Sequence, residues 1–113
     1  MIIEINETNF DDEIIKSETP VVLDFWATWC GPCNTMNQVL KGIDEKYGEK
    51  LKIGKINVDL EQSLATKFSV VSIPSFYFFK EGNKLNDEAA VGLMTEEKFM
   101  KLFEEYVGTI APN

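Results

Sequence analysis

Cys30 and Cys33 are the only thiols in this 113-residue chain, and only Gly31 and Pro32 separate them. They follow a run of apolar residues and open a stretch with helical periodicity, so the spacing places both at a helix start. Helical geometry puts Cα atoms three residues apart at roughly 5 Å, inside the range of about 4.4–6.8 Å that a disulfide can close. The bond could form and break with little movement of the backbone. At a helix N-terminus, unpaired N–H groups and the positive end of the dipole favour a thiolate over a thiol. Cys30 is then the expected attacking thiol and Cys33, one turn deeper, the resolving one. Pro32 suits the first turn because its missing N–H would have no partner there.

Composition removes most other chemistries. The chain has no His, which excludes imidazole as general base, metal ligand or pH switch. Two Cys without His cannot build the usual tetrahedral zinc site, so no metal and no cofactor are expected. Net charge is −8 and all 11 basic residues are Lys, a poor match to the basic, Arg-rich stripe of nucleic-acid binders. Neither nucleic acid nor an anionic membrane is an expected partner. No stretch approaches the ~20 apolar residues of a membrane span. Met1-Ile2-Ile3-Glu4-Ile5 lacks a basic segment followed by a long apolar one, and a cytoplasmic location is the expectation. One close Cys pair is not the framework of a small secreted fold, which needs four or more, and reads as redox-active.

Elements that could position this pair follow from Pro and Gly punctuation. A single domain over residues 1–113 is expected. Ile2 to Ile5 reads as a first strand. Asn6 to Lys16 reads as a helix capped by Thr8 or Asn9, with Phe10, Ile14 and Ile15 on one face. Val21 to Ala27 is nearly all apolar, as in a central strand buried on both sides. A long helix runs from Gly31 or Pro32 to Tyr47, ended by Gly48. Leu51 to Val58 alternates as a strand, and Glu61 to Phe68 is a short helix. Pro74 opens a strand over Ser75 to Phe79, whose aromatics are those of a buried strand rather than a ligand pocket. A turn at 81–83 leads to an edge strand, Glu88 to Val91, and Thr95 caps a last helix. Early alternation implies parallel crossovers and the late turn an antiparallel hairpin. The fold class is α/β, with a central mixed five-stranded sheet flanked by four helices.

One residue breaks the apolar pattern of the central strand. Asp24 lies within Val21-Val22-Leu23-Asp24-Phe25-Trp26, and burying a carboxylate costs several kcal/mol unless it is protonated or paired. Around it the run Asp24-Phe25-Trp26-Ala27-Thr28-Trp29-Cys30-Gly31-Pro32-Cys33 resembles the active-site segment of the thioredoxin family. Ile73-Pro74-Ser75 is similar to that family's cis-proline loop and Val91-Gly92 to its third surface element. The resemblance extends from about residue 2 to 107. A lone C-x-x-C is weak evidence, but Trp-Cys-Gly-Pro-Cys after a buried strand, with Ile-Pro about 40 residues later, is very specific.

The resemblance implies roles residue by residue. Asp24 is the buried acid below the disulfide that moves protons to and from Cys33, and Lys55 is the lysine paired with it. X-Pro bonds are cis only about 5–6% of the time, so the residues alone favour trans for Ile73–Pro74; the resemblance implies cis. The Ile73 backbone would then face the disulfide and pair with a substrate chain as an added strand. Trp29, Gly31, Pro32, Ile73, Pro74 and Gly92 would form an apolar patch around the sulfurs, suited to protein partners.

The implied activity is that of a thiol–disulfide oxidoreductase, a dithiol electron donor that reduces protein disulfides. Its partners would be a flavin- or ferredoxin-dependent reductase and disulfide-containing proteins, and the chain would be a monomer. Departures from the family pattern are Asn34, where Lys is common after the second Cys, and Gln38, where Pro is frequent and kinks the helix. Residues 83–91 are also about two longer than the usual hairpin, which predicts a bulge or wider turn. Three alternatives stay open. An oxidant or isomerase usually carries a different dipeptide between the cysteines. A binding module would function without either Cys. Two thiolates shared across a dimer could hold metal.

Overall fold

The computed structural model describes residues 1–113. Six strands form one mixed sheet: β1 (Ile2–Glu4), β2 (Val21–Trp26), β3 (Lys52–Asn57), β4 (Ser75–Lys80), β5 (Asn83–Lys84) and β6 (Ala90–Val91). Three helices accompany them: α1 (Gly31–Tyr47), α2 (Gln62–Lys67) and α3 (Glu96–Val107). A single wide π-helical turn at Asp11–Ile15 and a 3-10 turn at Gly48–Lys50 complete the list. The sheet order is β1-β3-β2-β4-β5, with β6 also on β4. β3 runs parallel to β1 and β2, while β4 is antiparallel to β2, β5 and β6.

The sheet separates two apolar layers. Period-two alternation sends Val22, Ile53, Phe76 and Phe78 to one face, where α1 and α3 pack through Met36, Leu40, Ile43, Phe99 and Phe103. Val21, Leu23, Phe25, Ile56, Tyr77 and Phe79 point to the other face, against Phe10, Ile14 and Leu64. This is why β2 and β4 read as continuous apolar runs. The same alternation assigns Asp24 and Lys55, two residues on from Val22 and Ile53, to the face covered by α1. Gly54, opposite Leu23 in β3, permits the close approach of the N-terminal segment: a Cβ there would lie 2.9 Å from side-chain atoms of both Ile5 and Ile14.

The expected first helix is shorter than predicted and starts differently. Asn6 and Asn9, not Thr8, cap it. The Asn6 side chain accepts from the Thr8 and Asn9 N–H groups, and Asn9 Oδ1 accepts from the Asn6 N–H. These bonds occupy the backbone donors of Asn6, Thr8 and Asn9, so the turn begins at Phe10. It closes wide, with the Lys16 N–H on the Asp11 carbonyl. Phe10 and Ile14 face the core as expected, while Ile15 is exposed.

The expected fifth strand is two. β5 and β6 each have two residues, and between them residues 85–89 face only Tyr77 and Phe78 of β4. Asn86 fills the interruption: its buried amide accepts from the Phe78 N–H at 2.9 Å and donates to the Phe76 carbonyl at 3.2 Å and the Glu88 carbonyl at 2.9 Å. A side chain thus replaces the missing ladder, which is the physical content of the long hairpin. Thr95 caps α3 as predicted, its Oγ1 accepting from the Lys98 N–H at 3.1 Å. Glu104 and Glu105 are exposed. The residues beyond α3 fold back on the end of α1, where the Asn113 N–H donates to the Lys46 carbonyl and Lys50 Nζ to the Ala111 carbonyl.

Removing the Asn86 amide leaves the buried Phe78 N–H without its partner and strips one hydrogen bond from the Phe76 carbonyl. Asn86→Ala should therefore lower unfolding stability by roughly 2–4 kcal/mol, read as a fall in denaturant midpoint at constant m-value. A loss within 0.5 kcal/mol would show that water replaces the amide and that the bulge is not held by it.

Candidate active site

β2 ends at Trp26, and the chain turns through buried Ala27 to deliver Cys30 as the N-cap of α1. Cys30 and Cys33 are joined by a disulfide with Cα atoms 5.2 Å apart. The Cys33 N–H donates to Cys30 Sγ at 3.2 Å, so the sulfur occupies the capping position where an oxygen usually stands. Gly31 and Pro32 form the exposed first positions of the helix. Cys30 retains 5% of its surface and Cys33 1%, so Cys30 is the sulfur nearer solvent. Asn34 Nδ2 donates to the Thr28 carbonyl at 3.1 Å and ties the helix start to the preceding loop. With Gln38 in place of Pro, α1 runs unbroken for 17 residues.

Trp29 precedes Cys30 in the chain, the Ile73 carbonyl lies by the outer sulfur, and Gly92 is bonded to the Ile73–Pro74 loop. Trp29 is 68% exposed, and its Nε1 donates to Asp59 Oδ2 at 2.8 Å. The Ile73–Pro74 peptide bond is cis, and the Ile73 carbonyl oxygen lies 3.8 Å from Cys30 Sγ. The Gly92 N–H donates to the Pro74 carbonyl at 2.9 Å. Gly92 has φ +97°, where a side chain would be strained. Pro74 itself is buried, so it shapes the Ile73 backbone from beneath and adds little to the exposed patch. Val91, named with Gly92 from sequence, and Leu93, which sequence reasoning missed, are half-exposed on either side of Gly92 and add apolar surface there. Beside Trp29 a hollow of about 160 Å³ is lined only by apolar residues, among them Val58, Val70, Val71 and Ile73.

Asp24 and Lys55 are neighbours across the parallel β2/β3 register, and Glu4 is paired with Lys55 from β1. Asp24 is buried, and its Oδ2 lies 4.0 Å from Lys55 Nζ. Its Oδ1 makes no hydrogen bond. Burial pushes the Asp24 carboxyl up to about 7; Lys55 opposes that shift and Glu4 adds to it. Burial likewise pulls Lys55 below its ordinary value, against the pull of Asp24 and Glu4 in the other direction. Lys55 Nζ also sits 4.3 Å from the centre of the Trp26 ring, a favourable placement for a desolvated cation.

Asn37 was not singled out from sequence, yet its Oδ1 accepts a hydrogen bond from Lys55 Nζ. It lies one turn beyond Cys33 on α1, so an i,i+4 reading from the second cysteine was the signal available. The fold nowhere gathers three or more His, Cys, Asp or Glu side chains at metal-binding distance. No helix is long and apolar enough to cross a membrane.

Known proteins share this arrangement in sequence. The thioredoxin family profile matches residues 1–105. The chain is 35% identical over 103 residues to "Thioredoxin M-type, chloroplastic" of Pisum sativum, covering 91% of this chain and 59% of that protein. It is 31% identical over 104 residues to a thioredoxin of Porphyra purpurea, covering 92% and 95%, and 32% identical over 104 residues to a thioredoxin of Synechocystis sp., covering 92% and 95%. It thus spans under two-thirds of the length of the chloroplastic protein and nearly all of the other two. The chain belongs to the thioredoxin family.

Proposed function

We propose that this chain is a dithiol electron donor that reduces protein disulfides through a reversible Cys30–Cys33 disulfide. The observation that carries the reading is the disulfide across the first turn of α1, its outer sulfur capped by a helix N–H and bordered by exposed apolar surface. In the reduced form the Cys30 thiolate attacks one sulfur of the target disulfide. A mixed disulfide forms and the other target sulfur leaves as a thiolate that takes a proton from water. Cys33 then attacks Cys30 Sγ, the target's second sulfur leaves, and the oxidised pair remains. Two electrons have passed to the target, and the Cys33 proton must go elsewhere. Asp24, as carboxylate, takes that proton in this reading, and Lys55 stabilises the charged form that accepts it.

Trp29, Gly31, Pro32, Ile73 and Gly92 form the proposed contact surface for protein substrates, with Pro74 holding the Ile73 backbone in place. The Ile73 backbone beside Cys30 supports pairing with an extended substrate segment. A flavin- or ferredoxin-dependent reductase would return electrons, and the protein would work as a monomer. The compartment is a reducing one, such as the cytoplasm, supported by the single close cysteine pair; the Pisum sativum relative carries the description chloroplastic.

With a dithiol supplying electrons, the wild-type chain should reduce an accessible protein disulfide faster than the dithiol alone. Cys33→Ser should accumulate mixed disulfides through Cys30, because attack survives and resolution does not, while Cys30→Ser should trap almost none. Mass spectrometry of the trapped adducts reads the outcome. Adducts on Cys33 in the Cys30→Ser protein would reverse the assignment, and no acceleration by wild type would remove the reductase reading.

Asp24 supplies a second test with a defined sign. Its folded value near 7 lies above the unfolded value of about 3.9. Between those values the folded protein holds a proton that the unfolded chain has lost, so stability falls as pH rises from about 4 to about 7 and then levels. At ~1.36 kcal/mol per unit, the ceiling on this loss is roughly 4 kcal/mol. Asp24→Asn should abolish that slope and be about 1–3 kcal/mol more stable at pH 7.5, the residual cost being that of a buried amide. It should also slow disulfide exchange by roughly tenfold or more, because Asn accepts no proton. Equal stability across pH 4–8 for the two proteins, with equal exchange rates, would show Asp24 to be a solvated bystander.

A further inference from the structure

We propose that Asn37 is a positioning residue: its side-chain carbonyl tethers the Lys55 ammonium between buried Asp24 and a solvent-filled cleft, and so governs the pH dependence of proton transfer through Asp24. The inference rests on the relay role proposed above for Asp24.

The argument is geometric. Lys55 has a long, flexible stem, and an ammonium prefers water to a buried site unless something holds it. Only Asn37 on α1 accepts a hydrogen bond from Nζ. The other two contacts are non-directional, the Trp26 ring at 4.3 Å and Asp24 Oδ2 at 4.0 Å, the latter beyond hydrogen-bond reach. The three contacts come from two elements, Asn37 from α1 and Trp26 and Asp24 from the end and the middle of β2, and together they fix the ammonium in space. On its outer side Lys55 lines a cleft of about 290 Å³ with Asn34, Asn37, Gln38 and Lys41. Asp24 has no place in that lining, so Lys55 stands between the acid and the cleft. Asn34 and Gln38, the two departures from the family pattern on α1, add neutral polar groups to a wall whose charges are those of Lys41 and Lys55.

Charged groups acting on the pair are few. Glu4 lies beside Lys55 on β1, and Lys41 reaches it from α1. β4 presents Phe76 opposite Asp24 and brings no charge. Freed from Asn37, the Lys55 ammonium would move outward through the cleft, toward water. Asp24 would lose the positive charge that opposes its desolvation, and its carboxylate would be harder to form.

The test reads Asp24 directly. In the disulfide form neither sulfur titrates, so the 13C shift of the Asp24 carboxyl reports its own midpoint. Asn37→Ala, on a half-buried helix position, should raise that midpoint by about 0.5–1 unit. Asn37→Ser, too short to reach the ammonium, should do the same and serves if the Ala variant folds poorly. In a Lys55→Met background the Asn37→Ala shift should vanish, because there is no ammonium left to hold. With the dithiol-driven assay, the acid limb of the exchange profile should move up with the midpoint, slowing turnover about threefold to tenfold on that limb, with KM for the protein disulfide unchanged. An unmoved midpoint in Asn37→Ala, or a shift that persists without Lys55, overturns the proposal. A moved midpoint with an unmoved rate profile leaves the tether but overturns its link to exchange, and the relay role of Asp24 with it.

Discussion

The first turn of α1 is the constraint from which the rest of the site follows. A helix start leaves N–H groups without intrahelical partners, and here one of them, on Cys33, points at Cys30 Sγ. The same residue is both helix cap and outer sulfur. That placement requires a strand ending just before it, which β2 provides, and a buried hinge at Ala27 between them. It also requires that α1 lie across the sheet. The apolar face of Met36, Leu40 and Ile43 secures this by packing on Val22, Ile53 and Phe76. The Ile73–Pro74 loop and Gly92 are then the segments at the strand ends nearest the helix start, joined to each other by a backbone hydrogen bond.

The price of this architecture is a carboxylate beneath the helix. Asp24 falls on the α1 face because it is two residues from Val22, and a strand has no other face to offer. Desolvation outweighs the attraction of Lys55, so its carboxyl stays protonated to about pH 7. The carboxylate carries a desolvation cost that an uncharged side chain would not, so stability does not explain the acid. A carboxyl that titrates near neutrality on the face covered by α1 fits the proton-transfer role proposed for it. Trp26 and Asn37 are part of the same arrangement, since they hold the cation that keeps Asp24 able to ionise.

Local signals made much of this legible from sequence. The Cys30–Cys33 spacing, the acid in an apolar strand and the α3 cap at Thr95 are short-range patterns with one physical meaning each. Lys55 and the cis form of Ile73–Pro74 came only from family resemblance, since neither composition nor spacing pairs β3 with Asp24. What escaped was set by distant partners. Asn37 gains its contact from a side chain that rises out of β3, and nothing in α1 marks it beyond its place one turn after Cys33. Asn86 matters because the hairpin is too long for its partner strand, and which residue fills the gap depends on where the backbone of β4 is left unpaired. The early helix is shorter than its periodicity predicts because Asn6 and Asn9 satisfy backbone donors with their side chains, a competition that periodicity does not see.

The central claim is that the pair gives electrons rather than taking them, and its reduction potential measures this most directly. Equilibrating Cys30–Cys33 with defined ratios of reduced and oxidised glutathione, and quantifying the two forms after acid quenching and alkylation, yields the value. The account predicts a potential more negative than about −230 mV, where the dithiol reduces ordinary protein disulfides. A value of about −180 mV or higher would contradict it and mark the protein as an isomerase or oxidant.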